Sequence, residues 1–89
     1  MANYLFIRHK VKDFATWKNG YDAHLSKRVE AGLTERHLLQ ATNDPNEVFA
    51  LFEAADLDRA KAFTASADLK ETMQHVGVLD KPDFYFLTS

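Results

Sequence analysis

The chain has no cysteine, which excludes disulfides as a source of stability and suits a reducing compartment. With only three glycines, scattered among 89 residues, and two prolines, it has no glycine-rich phosphate loop and no low-complexity linker. Basic residues are not in surplus: 11 Lys and Arg stand against 13 Asp and Glu, for a net charge of −2. A nucleic-acid binder normally carries a basic stripe, so no nucleic-acid partner is expected. Long apolar runs are also missing. No segment nears the ~20 apolar residues of a membrane span, and Met1 to Lys12 lacks the apolar stretch of a signal peptide. A cytoplasmic protein without a membrane partner is the expectation. The four histidines fall on separate segments, without H-x-H or H-E-x-x-H spacing, and so predict no metal site. There is no cysteine nucleophile and no G-x-S-x-G elbow, and no cofactor is expected.

What is present is pattern. Asn3 to Val11 alternates, with Tyr4, Phe6 and Arg8 on one face and Leu5, Ile7 and His9 on the other, as a strand does. Asp13 is placed to cap a helix. From Phe14 the spacing turns helical, with Phe14, Trp17, Tyr21, Leu25 and Arg28 or Val29 in one stripe. Gly32 can end that helix in a left-handed conformation. Leu33 to Thr42 reads as a second strand, Arg36, Leu38 and Gln40 opposing His37, Leu39 and Ala41. Asn43-Asp44-Pro45-Asn46 is a turn signal, and Val48 to Ala54 completes a hairpin. Asp56 can cap a second helix with Leu57, Ala60 and Phe63 inside. Ser66 or Asp68 can restart it after a break, and Leu69, Met73 and Val76 carry the stripe on to Gly77. Asp83 to Thr88 is the last strand.

The order βαββαβ over residues 1–89 predicts one α+β domain: a ferredoxin-like, four-stranded antiparallel sheet ordered 4-1-3-2, with both helices on one face. Such a sheet should be polar on its open side. This one is not. Val48 and Phe52 oppose Phe49 and Leu51, and Phe84 and Phe86 oppose Tyr85 and Leu87. Burying about six such side chains at ~1.5–3 kcal/mol each is worth on the order of 10 kcal/mol per subunit before the costs of association. A chain of this size removes only about 60–65% of its unfolded surface from water. A homodimer joined through the open face is therefore the expected assembly.

The chain resembles the dimeric α/β-barrel superfamily, and within it small proteins related to the antibiotic-biosynthesis-monooxygenase group, some of them labelled cyclases. The resemblance runs nearly end to end. It rests on His9-x-Val11-x-Asp13-x-x-x-Trp17-Lys18, on Tyr21-Asp22-x-His24 with Arg28, and on the Asn43 to Asn46 turn. Further on it includes Ala62-Phe63-x-x-Ser66-x-x-Leu69-x-x-x-Met73 and Gly77-Val78. It implies subunits paired sheet to sheet, in a group that holds cofactor-independent oxygenases, haem-degrading enzymes, isomerases and proteins without a known reaction. Two departures count against the enzymes. The His-x-x-Ser pattern of the oxygenases has Phe63 in its histidine place, and the axial-histidine place of the haem-degrading relatives is Met73. His75 lies two residues beyond, about 200° around the helix.

Helix and strand rises of ~1.5 Å and ~3.3 Å per residue bring His24 and Tyr21 level with Arg36 or His37 on the second strand. These would surround a space between helix and sheet, and His9 belongs at its opposite end, near Phe14 and Trp17. Trp17, Tyr21 and Phe63 supply aromatic walls for a small apolar or aromatic ligand, although Trp17 and Tyr21 serve equally as core. His24 is the candidate catalytic residue, since histidine, with an ordinary pKa of ~6.5, takes or gives a proton near neutrality. Arg36 and His37 are the candidate polar ligands, of which strand alternation admits one. Three functions stay open: a binding module, an enzyme using His24 for proton transfer or cofactor-independent oxygenation, and a purely structural dimer.

Overall fold

The computed structural model describes residues 2–75, 77–79 and 82–89, without the side chains of Asp68 and His75. Expectations for Val76 and for those two side chains lie outside the described residues. The elements are β1 (Asn3–Lys10), α1 (Phe14–Ala23), α2 (Leu25–Glu30), β2 (Leu33–Ala41), β3 (Asp44–Ala54), α3 (Leu57–Thr64), α4 (Ala67–His75) and β4 (Asp83–Thr88). The strands form one antiparallel sheet in the order β2-β3-β1-β4, the predicted order read from the other edge. This is the ferredoxin-like arrangement, with the helices on one face.

Strand alternation sets that face. Leu5 sits between Phe52 and Phe86, Ile7 between Ala50 and Phe84, and His9 opposite Val48. Leu5, Ile7, Val48, Ala50 and Phe52 are buried there under the helices, with Trp17, Ala60 and Leu69 pressing from above. The helices start where short polar side chains can satisfy their first amides. Asp13 accepts from the Thr16 amide at 3.0 Å, and Asp56 accepts from those of Asp58 and Arg59. Ser66 restarts the second helical segment: its Oγ accepts from the Leu69 amide and donates to the Phe63 carbonyl. Gly32 carries a φ of +76°, the left-handed conformation expected of a helix-ending glycine.

Three local features depart from the pattern. The first helical segment is not continuous. It breaks at His24, which ends α1 and begins α2 with φ −90° and ψ 7°. The break changes which residues face the sheet, so that Arg28 is buried while Leu25 and Val29 are exposed. The hairpin loop is shorter than the turn signal suggests. Ala41 pairs with Asp44 around Thr42 and Asn43, and Pro45 falls in a register irregularity at the start of β3, a place that tolerates a residue without an N–H. Asn46 there binds the end of β1 and the start of α1: its carbonyl accepts from the Val11 amide and its Oδ1 from the Phe14 amide. The third departure, a bulge in β2, bears on the site.

Candidate functional site

Between the helices and the covered face of the sheet lies a chamber of about 50 Å³, bounded by Ile7, His9, Trp17, Tyr21, His24, Arg28, Ala50, Phe52, Phe63, Leu69, Thr72 and Met73. Four of the six residues singled out from the sequence meet here: Trp17, Tyr21, His24 and Phe63. The α1 spacing makes this possible. Phe14, Trp17 and Tyr21 recur at three and four residues, so their rings stack along one helix face. Trp17 lies 5.7 Å from Phe14 and 4.8 Å from Tyr21, the latter pair nearly parallel. His24, at the helix break, turns its ring toward Phe63 on α3, with centroids 5.9 Å apart.

Arg36 and His37 do not reach the chamber. Glu35 lies opposite Phe52 and His37 opposite Leu51. Two residues of β2 therefore advance against one of β3, with Arg36 the extra residue of a β-bulge. The bulge leaves Glu35 on the covered side and sends both Arg36 and His37 to the open one. Arg36 there donates to Glu53 at 3.0 Å. The polar group that β2 does bring up to the helix is Glu35, whose Oε1 accepts from the Tyr21 hydroxyl at 2.5 Å.

Sequence reasoning assigned no role in the site to two of its polar residues. His9 is 4% exposed, and its ring meets Trp17 edge-on at 5.3 Å. Its place in the Leu5, Ile7, His9 alternation was the signal for it. Arg28 is 6% exposed; its guanidinium carbon lies over the Tyr21 ring, 3.7 Å from the centroid, and Nη1 donates to the Tyr21 carbonyl at 2.7 Å. Tyr21 is thus held between Trp17 and a cation. Burial, reinforced by the hydrogen bond to Glu35, drives its phenol pKa well above the ordinary value, against the opposing pull of Arg28. Burial also lowers the Arg28 pKa, opposed by the electrostatic pull of Tyr21, Glu35 and Asp22. A guanidinium keeps its proton in proteins at neutral pH.

A second space adjoins the chamber. It is a groove of about 600 Å³ between α4 and β4, lined by Ser66, Lys70, Met73, Val78 and Phe84 among others. Leu69 and Met73 line both spaces. The chamber alone holds a functional group rather than a whole ligand, whereas the groove is within the ~300–1,000 Å³ usual for small-molecule sites. Among the described residues no three His, Asp or Glu side chains converge as a metal site would require.

The fold defines a class: the chain has the ferredoxin-like fold of antibiotic biosynthesis monooxygenase proteins. A proposed monooxygenase of this kind from Bordetella bronchiseptica superposes with a TM-score of 0.78 at 17% identity, covering 100% of this chain and 98% of the other. SnoaB from Streptomyces nogalater, a cofactor-independent oxygenase, superposes at 0.74 with 14% identity, covering 100% and 94%. A conserved protein from Methanosarcina mazei Go1 gives 0.73 and 14%, over 98% and 91%. At these identities the likeness is one of fold. No protein-family model matches the sequence, and a search of curated proteins finds no match. Among the described residues no helix is long and apolar enough to cross a membrane.

Proposed function

We propose that the protein is a homodimer that binds a small apolar or aromatic molecule between its helices and its sheet. The carrying observation is that two spaces lie side by side. An aromatic-walled chamber and a groove of ligand size share Leu69 and Met73, and Met73 is an adaptable side chain suited to such a wall. A purely structural dimer has no use for a groove of that volume opening on the sheet side of α4. The test is mass spectrometry of small molecules released from protein purified under native conditions. An apolar or aromatic compound in stoichiometric amount supports binding, and its loss in a Met73→Trp variant places it at the shared wall.

The dimer rests on the open face. Phe6 on β1 packs against Phe49 on β3 and Tyr85 on β4, each with centroids 6.1 Å apart. Leu39, Tyr85 and Leu87 remain 46–53% exposed. Ion pairs flank the band, Arg8 with Glu47 and Asp83 toward one end and Arg36 with Glu53 toward the other. An apolar patch with a polar border is the composition of an association surface.

A second reading is an enzyme of the cofactor-independent oxygenase or proton-transfer type, favoured by the shared fold with SnoaB and by the position of His24 on the chamber wall. In this reading His24 takes the acidic proton of the bound molecule. His24→Ala should then abolish turnover of the copurified compound while leaving the dimer intact. Undiminished turnover would remove His24 from the reaction and leave the binding module as the function.

A further inference from the structure

Resting on the reading of the chamber and groove as a ligand site, we infer that the ligand is anionic: an apolar body ending in a carboxylate, the carboxylate seated against Arg28. The guanidinium is buried and lines the chamber. Among the described residues its one hydrogen bond goes from Nη1 to the Tyr21 carbonyl, and no carboxylate forms an ion pair with it. A guanidinium offers five N–H donors in a planar fork. The guanidinium carbon sits over the Tyr21 ring and one N–H is used by the Tyr21 carbonyl, which leaves further N–H donors for a partner.

Burying a charge without an opposite charge is costly, and natural proteins pair buried charges. The nearest candidate from the protein is already engaged. Glu35 is exposed and accepts the Tyr21 hydroxyl, so it acts on Arg28 from a distance rather than as a fork partner. Among the described residues the other polar groups on the chamber wall are His9, Tyr21, His24 and Thr72, none of them an acid. A carboxylate from outside would supply the absent countercharge.

Size selects the same chemistry. A chamber of about 50 Å³ is far below the ~300–1,000 Å³ of a whole small-molecule site, which suits a terminal group such as a carboxylate. The ring or chain of the same molecule has the groove beyond Leu69 and Met73, where the lining is mainly apolar and Phe84 provides an aromatic floor. A planar carboxylate also matches the guanidinium fork in a two-bond geometry that a neutral hydroxyl cannot reproduce.

Trp17 is the sole tryptophan and stands on the chamber wall, so its fluorescence reports occupancy directly. The probes are 4-phenylbutyrate and its neutral counterpart 4-phenylbutan-1-ol, titrated into the dimer. We expect saturable quenching by both, with the acid bound at least about tenfold more tightly. In Arg28→Met the acid should fall to the affinity of the alcohol, while the alcohol is held as before. Equal affinities in the wild type would overturn the carboxylate assignment and leave the pocket standing, as would an undiminished preference in Arg28→Met. Failure of both probes to quench at millimolar concentration would overturn the pocket reading along with it. Should Arg28→Met not fold, the wild-type ratio decides alone, and Arg28→Lys, which keeps the charge and loses the fork, should retain only part of the preference.

Discussion

Both faces of the sheet carry large apolar side chains, and they differ in what covers them and in the ion pairs that flank the open one. On the helix side Leu5, Val48 and Phe52 are at most 2% exposed, and rings, methyls and one buried cation fill the space. On the other side Phe6, Phe49, Leu51, Tyr85 and Leu87 form an equally apolar layer that nothing in one subunit covers. In an antiparallel sheet with one wet face, alternation normally tells inside from outside. Its loss here means that the second face carries information too. The helices account for one apolar layer, and the proposed dimer would account for the second.

The largest expected effect breaks the covered side. Phe52→Ala removes a fully enclosed ring in contact with the Tyr21 ring, 6.4 Å between centroids. It should cost ~3–5 kcal/mol, a large fraction of the 5–15 kcal/mol that holds a domain of this size. Urea unfolding monitored by circular dichroism measures it. A loss below ~1 kcal/mol would mean that the chamber collapses onto the vacancy and that the covered face is not close-packed.

Next comes the open side. Phe6→Glu places a charge at the centre of the aromatic band, where it should weaken association on the order of a hundredfold, about 2.8 kcal/mol, with the subunit still folded. The wild type should sediment near twice 10.2 kDa at micromolar concentration, and the variant near the single value. A wild type that stays monomeric at high concentration would refute the dimer. It would also leave the apolar open face without a physical account.

The same comparison shows how far the residues alone could lead. Strand order followed from the element order and the handedness of the crossovers, and both apolar faces followed from alternation, because those rules act over whole elements. What escaped were single-residue events. Nothing in the Tyr21 to Arg28 segment announces a break at His24, where neither glycine nor proline stands, yet that break decides that Arg28 rather than Val29 turns inward. An alternating strand does not disclose an extra residue, so the bulge at Arg36 moved the polar contribution of β2 from Arg36 or His37 to Glu35. The turn at Asn43 to Asn46 was misplaced for a related reason. The Asp44 carboxylate accepts from the Asn46 amide and the Asn46 side chain from the distant Phe14 amide, so their turn chemistry is used inside the start of β3 rather than at the loop. The place of His9 near Trp17, by contrast, followed from the helix and strand rises, and the two rings meet at 5.3 Å.

The smallest effect sharpens the covered side by isolating its polar element. Tyr21→Phe removes the hydrogen bond to Glu35 and keeps the stacking on Trp17 and Arg28. At neutral pH it should cost ~1 kcal/mol, toward the low end for a bond to a charged acceptor because water screens the exposed Glu35. The pH dependence carries a definite sign. The folded-state pKa of Tyr21 lies above its ordinary value of 10.0, so its stabilising contribution is complete below pH 10. Above that, the unfolded chain gives up the phenolic proton while the folded one keeps it, and stability is lost as the pH rises toward the folded-state pKa. Phenylalanine has no such proton. The stability gap between wild type and Tyr21→Phe, taken from paired urea midpoints, should therefore be constant up to about pH 9 and narrow at higher pH. Parallel curves through that range would show the phenol to be as free to ionise in the fold as in water, and would dissolve the picture of Tyr21 clamped between an indole, a guanidinium and a carboxylate.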